Sequence, residues 1–161
     1  MGEFRRGVRL ALDWGRARIG VAACDPDGIL AYPVETVGAR DLPMRRIAAI
    51  VAEYEPIEIL LGLPRALSGE AGPAEEAMRL IADDLAGVVA PVPVCLVDER
   101  MSTVVAARTL AAAGKDSRQR RGMIDQAAAI AILENALEME RSTGNPPGEL
   151  VVWSRTEGGV S

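Results

Sequence analysis

The chain has 161 residues, 18 Lys and Arg against 23 Asp and Glu, a formal net charge of −5 and no histidine. With 49% hydrophobic and 25% charged residues it is a globular rather than a disordered composition, and the length suits one domain with an interior core. The missing histidine excludes Ser-His-Asp and Cys-His nucleophilic machinery, His-ligated zinc and imidazole acid/base catalysis, so hydrolytic chemistry in this chain must run on carboxylates, usually with a metal.

Val8 to Asp13 reads as a buried strand ending in a carboxylate, followed by the turn Trp14-Gly15-Arg16-Ala17. Arg18 to Cys24 is a second strand, and Asp25-Pro26-Asp27-Gly28 is a turn signal before a third strand over Ile29 to Val37. Turns this closely spaced predict an antiparallel meander. A helix then opens at Asp41 or Leu42 and runs to about Tyr54, with Ile47, Ile50, Val51 and Tyr54 at helical spacing. Glu58 to Leu61 is a short strand ending at Gly62, and Leu63 to Gly72 is a loop carrying Pro64, Ser68 and Gly69.

Pro73 suits the first turn of the next helix, whose apolar face uses Met78, Ile81, Ala82 and Leu85. Val94 to Val97 is a strand running into Asp98-Glu99-Arg100. Ser102 can cap a helix from Thr103 to about Ala113, closed by Gly114. After a basic loop, Met123 to Glu140 forms a long last helix, broken at Thr143-Gly144-Asn145-Pro146-Pro147-Gly148. The expected architecture is α/β: a five-stranded mixed sheet, antiparallel meander on one side and parallel strands on the other, flanked by helices. Residues 1–142 form the single domain and 143–161 a flexible C-terminal tail.

Cys24 and Cys95 lie in apolar runs and read as buried free thiols of a reducing compartment. No apolar run approaches the ~20 residues of a membrane span, and the opening residues lack a signal h-region, so the expectation is a soluble, cytoplasmic protein without a membrane partner. The acidic balance argues against nucleic acid only on average. Residues 47–99 carry ten acids and two arginines, whereas residues 1–46 carry eight arginines against six acids. A second basic cluster, Lys115, Arg118, Arg120 and Arg121, is diluted only by Asp116.

Asp13 and the Asp98-Glu99 pair fall at the predicted carboxyl ends of two strands, where ligands gather in open α/β sheets. Asp125 falls in the predicted first turn of the last helix, where the helix dipole favours an anion. Carboxylates are hard oxygen ligands, suited to Mg²⁺ or Mn²⁺, and a pair of such ions can hold a scissile phosphate and activate a water without a protein base. Each acid has a plainer reading as a cap or a surface charge. Strand alternation sends Asp98 and Glu99 to opposite faces, and local reasoning does not choose between them. Arg100 can pair with its acidic neighbours or contact phosphate, and the Ser68-Gly69 loop can approach a phosphate backbone or simply connect. No Walker A or dinucleotide fingerprint is present.

The segment Leu10-Ala11-Leu12-Asp13-Trp14-Gly15-Arg16-Ala17-Arg18-Ile19-Gly20-Val21-Ala22 closely resembles the opening signature of the YqgF-type family of pre-16S rRNA nucleases, also described as Holliday-junction-resolvase-like. Three further segments agree in order and spacing: Leu61-Gly62-Leu63-Pro64 with the Gly69 loop, Val97-Asp98-Glu99-Arg100-Met101-Ser102-Thr103, and Ile124-Asp125-Gln126 through Leu133. The resemblance covers Val8 to Leu137. It implies an RNase H-like fold and a metal-dependent nuclease that matures the 5′ end of 16S ribosomal RNA.

Carried over by position, the family's acidic site falls on Asp13, Glu99 and Asp125, as both catalytic and metal-binding residues for two Mg²⁺ or Mn²⁺ ions held weakly without substrate. Arg16, Arg18, Ser68, Arg100, Lys115, Arg118, Arg120 and Arg121 are the candidate contacts to nucleic acid. Val105 departs from the acid or polar residue of many relatives, which touches a helix surface rather than the metal site. The expected partner is precursor 16S rRNA, with four-way DNA as the alternative and a monomer or homodimer as the working unit. Rival readings are a Holliday-junction resolvase, which needs a dimer, a non-catalytic RNA-binding or transcription-associated factor, and an actin-like nucleotide-binding fold, which needs two such domains.

Overall fold

The computed structural model describes residues 4–65, 68, 70, 72–99 and 117–152. Six strands form one sheet: β1 (Arg9–Trp14), β2 (Arg18–Cys24), β3 (Ala31–Gly38), β4 (Glu58–Leu63), β5 (Val94–Asp98) and β6 (Glu149–Leu150), in the order β3-β2-β1-β4-β5-β6. β1, β2 and β3 pair antiparallel, β4 and β5 extend the sheet parallel to β1, and β6 closes the edge antiparallel to β5. The described helices are α1 (Pro43–Tyr54), α2 (Pro73–Val89) and α3 (Ser117–Thr143). The antiparallel meander joined to parallel strands is the RNase H-like arrangement expected from the resemblance. The helix expected over 103–113 lies outside the described residues.

Each sheet face has its own helices, set by the residue type at alternate strand positions. On one face Leu10, Leu12, Ile19, Val21, Ile59 and Leu61 pack against Ile47 and Ile50 of α1 and Met78, Ala82 and Leu85 of α2. On the other, the strands present small side chains, among them Ala11, Ala22, Cys24 and Cys95, to Ala129, Ile132, Leu133 and Ala136 of α3. Small residues on both sides let α3 lie close against the sheet, and this closeness places the site. Both cysteines are buried free thiols, with burial raising the pKa of each.

Three expectations need correction. First, the sheet has six strands rather than five. The sixth comes from the expected tail: Gly148, at φ +78, turns the chain, Val151 N–H donates to the Val94 carbonyl at 2.8 Å, and Glu149 pairs with Arg79 at 2.7 Å. Second, the last helix begins at Ser117, so the loop expected to hold Arg118, Arg120 and Arg121 is helical there. Arginine and glutamine are good helix formers, and the ~1 kcal/mol cost of Gly122 is outweighed by the packing of the turns that follow. Asp125 therefore sits two turns inside α3, beyond the reach of the N-terminal dipole. Third, β3 starts at Ala31, because the Asp25 carboxylate accepts the N–H groups of Ile29 and Leu30 at 2.8 and 2.7 Å and holds both in the turn.

Candidate functional site

The phase of β1 decides where Asp13 points. Ala11 faces α3, so Asp13, two residues on, faces the same side at the carboxyl end of the strand. In β5, Val97 faces α3, so the same phase carried past the strand end turns Glu99 toward α3 and Asp98 away. The carboxyl groups of Asp13 and Glu99 lie within hydrogen-bonding reach of each other. Burial, checked by the Glu99 hydrogen bond and helped by the Asp125 charge, lifts Asp13 to about 6; burial, with the Asp13 charge and hydrogen bond and the Asp98 charge, lifts Glu99 to about 7. The two titrate as a pair.

Two glycines make room for the acids. Gly20 lies opposite Asp13 in the β1–β2 ladder, and a β-carbon there would overlap the Asp125 backbone carbonyl. The bare backbone of β2 thus lets α3 descend onto the sheet beside Asp13. At Gly62 a β-carbon would meet Glu99 Oε2 at 2.5 Å and Ile132 Cδ1 at 2.8 Å, so this glycine leaves the space the Glu99 side chain occupies. A glycine inside a strand signals close approach by another group, and that signal was available for both.

Asp125 is half-buried and accepts a hydrogen bond from Arg18 Nε at 2.8 Å, an ion pair from β2 to α3. Arg18, expected to grip phosphate, is therefore engaged by one of the three acids. Next to it, Gln126 Nε2 donates to Thr36 Oγ1 at 2.9 Å and ties α3 to β3. Among the described residues no three acidic side chains gather closely enough to cage an ion: Asp13 and Glu99 touch, and Asp125 adds its charge nearby while facing Arg18. The donors are all carboxylate oxygens, and the chemistry of this donor set fits Mg²⁺ or Mn²⁺.

The remaining candidates are distributed around this point. Arg16 is exposed on the β1–β2 turn. Ser68 is exposed, and its Oγ accepts the Glu70 N–H at 3.3 Å. Arg118, Arg120 and Arg121 lie on the first turns of α3, whereas Arg100 and Lys115 lie outside the described residues. A cavity of about 870 Å³ opens at the carboxyl ends of β1, β4 and β5, with Trp14, Arg16, Pro64 and Glu99 in its wall. Sequence reasoning had no means to find it, because its other wall is α2. No described helix is long and apolar enough to cross a membrane.

The family model described as "RuvX: Holliday junction resolvase" matches residues 7–139. A protein of Streptomyces coelicolor named "Putative pre-16S rRNA nuclease" is 60% identical over 149 residues, covering 91% of this chain and 89% of the relative. Relatives of the same name from Cutibacterium acnes and Thermobifida fusca are 57% and 54% identical, covering 84% and 92% of this chain and 84% and 98% of their own. Among solved structures, Thermus thermophilus RuvC in complex with a Holliday junction substrate aligns at TM-score 0.49 and 18% identity, over 88% of this chain and 99% of that one.

Proposed function

Since the chain belongs to the RuvX Holliday-junction-resolvase family, we propose that it is a metal-dependent nuclease that hydrolyses phosphodiester bonds of RNA and acts in maturation of the 5′ end of pre-16S rRNA, in the cytoplasm. The observation that carries this reading is the contact of Asp13 and Glu99 at the ends of two parallel strands, with the Asp125 charge beside them. A fold kept only to bind RNA gains nothing from setting two half-buried carboxyls side by side, an arrangement that costs stability near neutral pH. Asp13 and Glu99 would hold the cation, with Asp125 completing the set. When bound, a divalent ion supplies Lewis-acid polarisation of the phosphoryl oxygen and lowers the pKa of a bound water.

The chain's own groups do the rest. Asp13 and Glu99, both raised toward neutral pH, act as carboxylates once each has given its proton to solvent. Arg18 orients Asp125 through its hydrogen bond, and Arg16 on the exposed turn meets the substrate phosphates. Gly20 and Gly62 keep the acids at the sheet edge.

The description of the family model favours a second reading, cleavage of four-way DNA junctions by the same site, acting as a dimer. One experiment separates the two. The purified protein is incubated with Mg²⁺ or Mn²⁺ and, separately, a precursor-rRNA model and a DNA junction, beside Asp13→Asn. Cleavage of the RNA that Asp13→Asn abolishes is the expected result. Cleavage confined to the junction favours the resolvase, and no cleavage, or equal cleavage by the variant, overturns the enzymatic reading.

A further inference from the structure

The 870 Å³ cavity has a chemistry of its own. It falls within the roughly 300–1,000 Å³ of small-molecule sites. One side is the β1–β2 turn, with the half-buried indole of Trp14 and the exposed guanidinium of Arg16. The opposite side is the first turns of α2, where Ala77, Met78 and Ile81 give an apolar floor. Glu99 belongs both to this wall and to the acid pair, so the cavity, on the α2 side of the sheet, and the acids, on the α3 side, meet at the carboxyl ends of β1 and β5. Helix α2 opens at Pro73 after an uncapped Gly72, and its alanines leave the space open.

An aromatic side chain, an apolar floor, a cation at the mouth and the half-buried Glu99 in the wall suit a flat, partly apolar group attached to a phosphate chain. A base within a duplex is stacked on its neighbours and paired, and it cannot enter a recess beside the reaction centre without leaving the helix. We infer that this cavity receives one unpaired nucleobase of the strand being cut, stacked on Trp14 with its phosphate toward Arg16, so that the site selects strands that are not base-paired next to the cleavage position. The inference rests on the nuclease reading and names the substrate class of the same site.

Two readouts test it. Trp14 and Trp153 are the chain's two tryptophans, so Trp153→Phe leaves Trp14 as the sole indole. Adenosine monophosphate titrated into that protein should quench Trp14 fluorescence saturably, and adding Ala77→Phe, which fills the cavity from an exposed position of α2, should weaken the binding about tenfold. In cleavage assays, a single-stranded RNA should be cut at least ~10-fold faster than the same sequence fully paired, and an abasic ribose next to the mapped cut should slow the wild-type protein about tenfold. Ala77→Phe should slow cleavage of the intact RNA by a similar factor and the abasic RNA no further. Absence of saturable quenching, no effect of the abasic ribose, or equal cutting of paired and unpaired RNA overturns the inference. Quenching without cleavage of any substrate sinks the nuclease reading while the base-binding cavity stands; cleavage without quenching or an abasic effect sinks the cavity alone.

Discussion

At the amino ends of β1 and β4, Arg9 and Glu58 stand side by side in the ladder. Arg5 reaches Glu58 at 3.0 Å and Glu140 of α3 at 2.7 Å, while Arg9, 1% exposed, reaches Glu140 at 3.2 Å. The Phe4 ring lies between the Arg9 and Arg141 guanidinium groups, 4.6 Å from each. Four residues further along β1, about 13 Å away, buried charge is handled in the opposite way: Asp13 meets another carboxyl, with a third acid nearby. Burial pushes Glu140 up, but the Arg5 hydrogen bonds and the Arg5 and Arg9 charges outweigh it and hold the carboxyl below its ordinary value. Burial pushes Glu99 up as well, and there the neighbouring charges add to the rise. The same two elements, β1 and α3, thus carry matched charge at one end and like charge at the other. The matched end secures the N-terminal segment and α3; at the other end the Asp125 charge raises Asp13 and the Asp13 charge raises Glu99, while Asp125 itself is met by Arg18.

Breaking the matched end has the largest expected effect on stability. Glu140→Ala leaves Arg9 buried without its carboxylate, and removing one partner of a buried pair costs about 3–5 kcal/mol. Urea denaturation should show that loss, while cleavage per folded molecule should stay near wild type because the change lies at the far end of the helix. A loss below about 1 kcal/mol would erase the contrast between the two ends.

Gly20→Ala comes next. The added methyl overlaps the Asp125 carbonyl, which is backbone, so α3 must lift from β2, at the ~1–3 kcal/mol typical of overpacking. Activity should fall with it, since Asp125 moves. Gly62→Ala meets side-chain ends instead, Glu99 Oε2 and Ile132 Cδ1, which can swing aside. It should cost less than about 1 kcal/mol and still slow cleavage by displacing Glu99. Equal melting temperatures for the two variants would contradict the distinction between backbone and side-chain crowding.

These contacts also show what a linear reading captures. The strand ending at Asp13, the meander and the helices at Pro43 and Pro73 are local patterns of apolar spacing, turn residues and proline, and they stand where the spacing puts them, within one to three residues at their ends. Asp98 and Glu99 could not be separated locally, because the phase of β5 has meaning only once α3 is known to cover one face; the family resemblance selected Glu99, the residue whose phase matches Val97. The Arg18–Asp125 pair spans 107 positions and the Arg9–Glu140 pair 131, and no short-range pattern encodes either. β6 is two residues long and exists only through pairing with β5. The cavity needs both α2 and the β1–β2 turn before it exists at all.

The like-charged end can be examined by pH. Asp13 is raised from 3.8 to about 6 and Glu99 from 4.5 to about 7, so the folded protein binds more protons than the unfolded chain in that window. Stability contributed by the protonated pair is full below about pH 4 and is lost as pH rises through 6 to 7. Asp13→Asn removes one side of this cost. It should abolish cleavage yet melt higher than wild type at pH 8, by the equivalent of roughly 1–2 kcal/mol, with the gap closing toward pH 4. Millimolar Mg²⁺ should raise the wild-type melting temperature more at pH 8 than at pH 5, and EDTA should reverse it. A variant no more stable than wild type at pH 8 would mean that the two carboxyls are not strained against each other.

Arg18→Gln has the smallest expected effect on stability and sharpens the comparison most finely. Its ion pair with Asp125 has the geometry of the far-end pairs, 2.8 Å, but the arginine is 39% exposed, so solvent screens it and the loss should stay below about 1 kcal/mol. The informative quantity is the cation requirement. A guanidinium on Asp125 occupies a carboxylate oxygen and adds positive charge where a divalent ion would sit, so the variant should show its Mg²⁺-dependent rise in melting temperature at lower Mg²⁺ than wild type. Cleavage should slow at the same time, since Asp125 loses the group that orients it. A Mg²⁺ midpoint that does not move, or moves upward, would mean that Asp125 stands outside the cation's field, and the like-charged end would then consist of Asp13 and Glu99 alone.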